Sequence, residues 1–255
     1  MNVRAVTLSI EDGIGQLVLD NSPLNILTRS VLGQLTAGLR ELKADKTLRV
    51  VVISAQGKHF SVGADVGEHL PPHYPDLISE FLDTVRAVRG FPLPVVAAVR
   101  GRCLGAGLEV VAAADIVVAG EGASLGQPEI MLGVFPPAAC ALLPEMCPPG
   151  VAAELIFTGD AINATTAQRA GIVTHVVPDE RVEEEALALA QRIARHSAAA
   201  LRHAKRALRL ESADRVKGAL KHAGRVYVAE LMETKDALEG LKAFVVKRKP
   251  IWSHE

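Results

Sequence analysis

The chain has 255 residues, 49% of them apolar and 22% charged, which excludes a disordered protein and fits either one domain of ordinary size or a large core plus a small appendage. Its 28 Lys and Arg stand against 29 Asp and Glu, and the net charge of −1 excludes nucleic-acid affinity resting on whole-domain charge. Aromatic residues are only 4%, so Ala, Val, Leu and Ile must build the core by close packing of one element on another.

In chain order, Val6 to Ile10 and Ile14 to Leu19 flank Glu11-Asp12-Gly13, and the Asp-Gly pair predicts a hairpin. Thr28 is placed to cap a helix running to about Ala44, with Val31, Leu32, Leu35, Leu39 and Leu42 on one face. Arg49 to Ser54 reads as a short strand buried on both faces. An amphipathic segment, Asp76 to Val88, precedes a second buried strand, Val95 to Val99. A glycine-rich loop, Gly101 to Gly107, then leads into a helix over Leu108 to Ala113 and a further strand over Asp115 to Ala119. This alternation predicts an α/β fold, a sheet covered by helices. Near Val182 the composition shifts to helix formers, with Glu183-Glu184-Glu185 at a helix start and Lys247-Arg248-Lys249 at a helix end, as the helix dipole favours. The expected organisation is a core over 1–195 and a helical module over 196–255.

Met1 to Asp20 is interrupted by Arg4, Glu11 and Asp12, unlike a signal peptide, and no run of about 18 apolar residues reads as a membrane span. Cys103, Cys140 and Cys147 form neither a disulfide framework nor a zinc pattern. The expectation is a cytoplasmic protein with reduced thiols, no metal and no membrane contact.

The loop Gly101-Arg102-Cys103-Leu104-Gly105-Ala106-Gly107 is neither a P-loop nor a dinucleotide fingerprint, since Val110 stands where the last glycine would fall. It offers bare backbone N–H groups at a helix start, suited to a developing anion, although a plain strand-to-helix turn is the simpler reading of the loop alone. Glu109 stands one turn further, among Leu108, Val110, Val111 and Ala112, where burial gives a carboxyl reason to shift its pKa and exchange protons. Glu129, in Gly126-Gln127-Pro128-Glu129, is a second candidate, and an exposed acid at a helix start is its ordinary alternative. Two such carboxyls and backbone anion donors suit acid–base chemistry around one water. Gly57 to Asp65 is another small-residue turn after a buried strand, where its backbone could supply a further N–H. A Ser61 nucleophile lacks its Gly-x-Ser-x-Gly elbow. His69 and His73 are separated by Pro71-Pro72, which excludes a helical metal pair and leaves a loop.

Taken together, the chain resembles the crotonase, or enoyl-CoA hydratase/isomerase, superfamily. The likeness rests on Asn21-Ser22-Pro23-Leu24-Asn25, Phe60 to Asp65, Pro94 to Gly101, Leu104 to Glu109, Gly126 to Glu129, Thr158-Gly159-Asp160, Ala170 to Val173 and Glu239 to Arg248, in that order and spacing. It implies a spiral of ββα turns with a helical C-terminal trimerisation module, assembled as a trimer or a dimer of trimers. It implies acyl-coenzyme A thioesters as substrates and no separate cofactor, the coenzyme being part of the substrate. By the same resemblance the oxyanion-hole donors fall on the N–H groups of Ala64 and Ala106, and the catalytic pair on Glu109 and Glu129. Coenzyme contacts fall on Phe244 and Lys247, read as three apart on one helix face of this or a neighbouring subunit. Having both glutamates favours hydration of an α,β-unsaturated thioester over double-bond isomerisation.

Two departures stand out. Many hydratases carry Pro-Gly-x-Gly-Gly-Thr after the second glutamate, whereas this chain reads Phe135-Pro136-Pro137-Ala138-Ala139-Cys140, expected to narrow the acyl pocket. The lysine often found two residues after Gly-Ala-Asp is Gly67, which removes one coenzyme contact. Phe91 to Pro94, Cys103-Leu104, Gly133 to Phe135 and Pro137 to Ala139 resemble a narrower group, the cyclohexa-1,5-diene-1-carbonyl-CoA hydratases. Leu70, Phe81, Met131 and Phe135 are the expected shapers of the acyl pocket. An alternative of another class, an RNA-binding member of the fold, rests on the basic run from Arg202 through Lys205, Arg206 and Arg209 to Arg225, which Glu211 and Asp214 interrupt.

Overall fold

The structure, a computed structural model, describes residues 4–255, so the first three residues of the Met1 to Asp20 leader reading and of the 1–195 unit lie outside the described residues. The hairpin forms as the sequence indicates. β1 (Val6–Glu11) and β2 (Ile14–Leu19) pair antiparallel around Asp12 and Gly13, both left-handed at φ 50° and 78°. That is the conformation a two-residue hairpin turn demands. α1 (Arg29–Ala44) begins where Thr28 Oγ1 accepts the Val31 N–H at 3.3 Å, and it buries the five predicted apolar residues.

β3 (Val50–Ala55), β4 (Val95–Val99), β6 (Ile116–Gly120) and β9 (His175–Val177) continue the sheet in parallel, in the order β1-β2-β3-β4-β6-β9. Their uninterrupted apolar sequences serve two cores. Val51, Ile53, Val95, Ala97 and Val99 join the main core beneath α1 and α2 (Tyr74–Arg89). Val50, Val52, Val96, Ala98 and Val118 face the other way, onto Val182, Ala186, Leu189 and Ala190 of α7 (Val182–Ala194). A strand covered on both faces has no polar side to alternate, which is why periodicity could not show its two sides. The helical run beginning at Val182 therefore opens with a helix that covers the sheet.

The glycine-rich loop is not all loop. Arg102–Leu104 is a strand, β5, in a second sheet ordered β5-β7-β8 with β7 (Ser124–Gly126) and β8 (Ala161–Asn163). Three residues are too few to carry a period, and only pairing with β7 reveals them. α3 (Ala106–Ala112) starts two residues earlier than expected, so Ala106 lies in its first turn. After β7 the chain makes a 3₁₀ turn over Pro128–Leu132, which holds Glu129.

α4 (Pro137–Met146), α5 (Pro149–Thr158) and α6 (Ala164–Arg169) precede α7. α8 (Ala198–Leu208), α9 (Leu210–Ala229) and α10 (Lys235–Val245) follow it. α9 crosses both α4 and α2. α10 ends before Lys247, which sits in the left-handed region at φ 55°, so Phe244 and Lys247 do not share a helix face. On α10, Leu241 is buried within the chain and Phe244 is 55% exposed.

The basic run on α8 and α9 is in part spoken for. Asp115 accepts Lys205 Nζ at 2.6 Å and the Arg209 guanidinium, and also receives the Val95 N–H at 2.8 Å. Arg215 pairs with Glu145 at 2.7 Å and Arg225 with Glu230 at 2.9 Å. Burial lowers the Lys205 ammonium to about 8 against the pull of Asp115. Charges committed to carboxylates are not offered to phosphates. Among the described residues no helix is long and apolar enough to cross a membrane.

Candidate active site

The site gathers at the carboxyl ends of β3 and β4, where open α/β sheets bind ligands. The two loops leaving these strands run side by side. Phe60 N–H donates to Arg100 O at 2.9 Å, Ser61 N–H to Arg102 O at 3.2 Å, and Leu104 N–H to Ser61 O at 2.9 Å. Asn25, buried and left-handed at φ 50°, clamps the first loop through Nδ2 to Gln56 O at 2.8 Å and His59 O at 2.7 Å. Leu27 N–H bonds Gly63 O at 2.9 Å. The Asn21 to Asn25 motif thus fixes a loop more than 30 residues away, a role its own spacing does not reveal.

These bonds bring Ala64 and Ala106 together. A Cβ added at Gly63 would lie 3.9 Å from the Ala106 nitrogen, so the two backbones nearly touch. Among the described residues, neither the Ala64 nor the Ala106 N–H has a partner within the chain. Two unpaired N–H groups, one at a helix N-terminus, create a positive spot ready for an anionic oxygen.

Glu109 and Glu129 meet because β5 pairs with β7. Gly105 N–H donates to Gly126 O at 2.9 Å, tying the start of α3 to the strand that delivers Glu129. Gly105 takes φ 53° and ψ −128°, and a Cβ there would stand 2.4 Å from Glu129 Oε1. Glycine is required twice over, by backbone and by contact.

The two carboxyls have different surroundings. Glu109 is buried, and its Oε1 accepts the N–H groups of Ala138 at 2.6 Å and Ala139 at 2.8 Å. Those amides open α4, so the segment that departs from the usual glycine-rich stretch presents a helix N-terminus to the first glutamate. Burial raises the Glu109 carboxyl to about 7, and the two amides oppose the rise. Among the described residues Glu129 Oε2 is buried without a partner, and burial followed by the charge of Glu109 pushes this carboxyl well up. The pair therefore holds one proton more readily on Glu129, and its titration belongs to both groups.

A cavity of about 370 Å³ opens over these groups, with Glu109, Glu129, Ala64 and Ala106 in its walls. Phe81, Met131 and Phe135 line it as expected, whereas Leu70 does not. Phe244 and Arg248 line it from the same chain. Lys247 is not among its walls.

Sequence reasoning missed two polar wall residues. His69 closes a 3₁₀ turn over Gly67–His69 instead of lying in a featureless loop, and its Nδ1 sits 2.8 Å from Asp65 O. A carbonyl only accepts, so Nδ1 carries the proton, and burial lowers the pKa of the ring. Tyr227 of α9 packs edge-on against Phe135 at 5.4 Å between ring centroids. Nothing local marks it, since helix crossing alone carries it to the pocket.

A family model described as enoyl-CoA hydratase/isomerase matches residues 9–255. Cyclohexa-1,5-dienecarbonyl-CoA hydratase of Thauera aromatica is 38% identical over 252 residues, 98% of this chain and 96% of that one. 2,3-Dehydroadipyl-CoA hydratase of Escherichia coli K12 is 36% identical over 89% of each chain. The crystal structure of an enoyl-CoA hydratase/isomerase from Pseudoalteromonas atlantica T6c superposes with a TM-score of 0.89 at 26% identity, over 98% of this chain and all of that one. With a helix-covered sheet, a matching fold and relatives of this identity along most of its length, the chain belongs to the enoyl-CoA hydratase/isomerase family.

Proposed function

We propose that the protein adds water across the C=C bond of an α,β-unsaturated acyl-CoA, with a cyclic dienoyl thioester as the acyl group. The observation that carries this reading is the glutamate pair itself. Two buried carboxyls in unequal surroundings share one pocket with two unpaired amides. In this reading the Ala64 and Ala106 N–H groups hold the thioester oxygen, each donor contributing about 3 kcal/mol as enolate charge develops. Glu109 is the ionised member and takes a proton from water as the water oxygen bonds the β-carbon. The C=C electrons move toward the thioester oxygen, and the α-carbon then receives the proton held on Glu129.

The flat walls of Phe81, Phe135 and Tyr227 suit a planar ring, and the Thauera aromatica relative is named for a cyclic diene thioester. Phe244, at the pocket rim, would meet the coenzyme together with Lys247 reaching in from the end of α10 or from a neighbouring subunit. Exposed Leu208, Leu210 and Phe244 favour assembly as a trimer or a dimer of trimers.

The test is a panel of cyclic dienoyl-CoA and straight-chain enoyl-CoA thioesters in isotopically labelled water. Hydration with label in the product hydroxyl, fastest for the ring, is expected. Movement of the double bond without label uptake would overturn hydration in favour of isomerisation.

The pH profile carries a second expectation. The base must be ionised, so activity is present above the Glu109 pKa and falls as pH drops through about 7. The acid must keep its proton, so activity falls again as pH rises through the raised Glu129 pKa. A kcat/KM profile without an acid limb near neutrality would contradict these roles.

A further inference from the structure

Tyr227 is 1% exposed, and among the described residues its hydroxyl has no hydrogen-bond partner. A buried phenol left unpaired is unfavourable, and few folded proteins tolerate one without a ligand or water to meet it. This hydroxyl belongs to a residue of the pocket wall. The ring is held firmly. Phe135 packs edge-on against it, His69 lies 6.3 Å away between centroids, and one turn earlier Gly224 lets α9 approach Leu82 so closely that a Cβ there would come within 2.5 Å of it. The same pocket holds a second buried polar atom without a partner, Oε2 of Glu129. Burial pushes the phenol pKa up, and the proximity of both glutamates to it adds to the rise.

We propose that Tyr227 is a positioning residue for the attacking water, donating its O–H to the water oxygen while that water donates to the two glutamates. The proposal rests on the hydratase reading above. Its logic is the tetrahedral valence of water. Two hydrogens go to Glu109 and Glu129, one lone pair accepts from Tyr227, and the remaining lone pair is left to bond the β-carbon. Two carboxyls alone fix the hydrogens and leave the water free to swing about them. A third contact selects which lone pair attacks. Tyr227 gains and loses no proton. The oxygen–carbon bond forms from the free lone pair, and the proton released goes to Glu109. A donor on the water also strengthens the bonds the water makes to the carboxyls.

Y227F keeps the ring, and with it the contacts to Phe135 and His69, and removes only the hydroxyl. Two reactions of the same site separate positioning from packing. Hydration needs the placed water. Exchange of the α-proton of a saturated acyl-CoA with solvent deuterium needs only the amides and a carboxyl. Y227F is expected to lower kcat for hydration about 10-fold with KM within about twofold, and to lower the ratio of hydration to exchange by the same factor. A ratio equal to wild type overturns the proposal, whether both rates are retained or both fall together. Circular dichroism and sedimentation verify that the variant is folded and assembled. If the wild-type protein hydrates no thioester, the hydratase reading fails first. If it hydrates normally and the ratio does not move, only the role of Tyr227 fails.

Discussion

Glu109→Gln and Glu129→Gln should each lower kcat by at least about 10²-fold, the lower end of what a positioned acid or base supplies, with KM changed by no more than about twofold. Glutamine preserves shape. At position 109 its carbonyl oxygen still accepts the Ala138 and Ala139 N–H groups, so the start of α4 keeps its contact. What is lost is the ability to take a proton. At position 129 the change removes the proton to be delivered. Stability should move the opposite way. Both carboxyls are raised in the folded state, Glu109 to about 7, so folding favours their neutral forms and that preference is lost as pH rises through the folded pKa. Above neutrality the glutamine variants should therefore melt no lower than the parent. Thermal melting and steady-state kinetics on one preparation check both halves. Two acids that merely anchored helices would give the reverse, lower melting and near-normal turnover.

Gly105→Ala is expected to reduce kcat/KM about 10²-fold while the chain stays folded. The added Cβ would stand 2.4 Å from Glu129 Oε1, so the carboxyl must move, and displacement of about 1 Å is enough for a loss of that size. The backbone adds its own cost. Gly105 sits at φ 53° with ψ −128°, a conformation that an L-residue takes only with about 1–3 kcal/mol of strain. The loop cannot relax freely, because Gly105 N–H bonds Gly126 O and Gly105 O receives Glu109 N–H, both near 3 Å. Gly33→Ala is the matched control. Gly33 lies within α1, with nothing within 4 Å of an added Cβ, and alanine there should leave activity alone and stabilise by about 0.5–1 kcal/mol. Equal activity in the two variants would show that the Gly105 contact does not hold Glu129 in place.

The local grammar of this chain is written in its sequence. Asp12-Gly13 makes the first turn, Thr28 starts α1, and the apolar runs at Val50 and Val95 become strands buried on both sides. Each depends on neighbours a few residues away, so periodicity, capping and turn chemistry suffice. Of the two glutamates, Glu109 stands out locally, as a carboxyl in a run of Val and Ala, whereas Glu129 after a proline reads equally as an exposed acid at a helix start, and the family resemblance singles it out.

Their meeting was decided elsewhere. It depends on a three-residue strand pairing, β5 with β7, too short to leave a period in the sequence. The amides that hold Glu109 come from Ala138 and Ala139, about 30 residues on, in a segment whose sequence suggested only lost glycines. Tyr227 and His69 join the pocket through helix crossing and a short turn, and α10 ends too early for Phe244 and Lys247 to share a face. In each case the deciding interaction joins residues far apart in the chain. A sequence records which groups are available and how each short segment folds. Which of them share a volume, and so shift one another's protons, follows only from the packing of the whole chain.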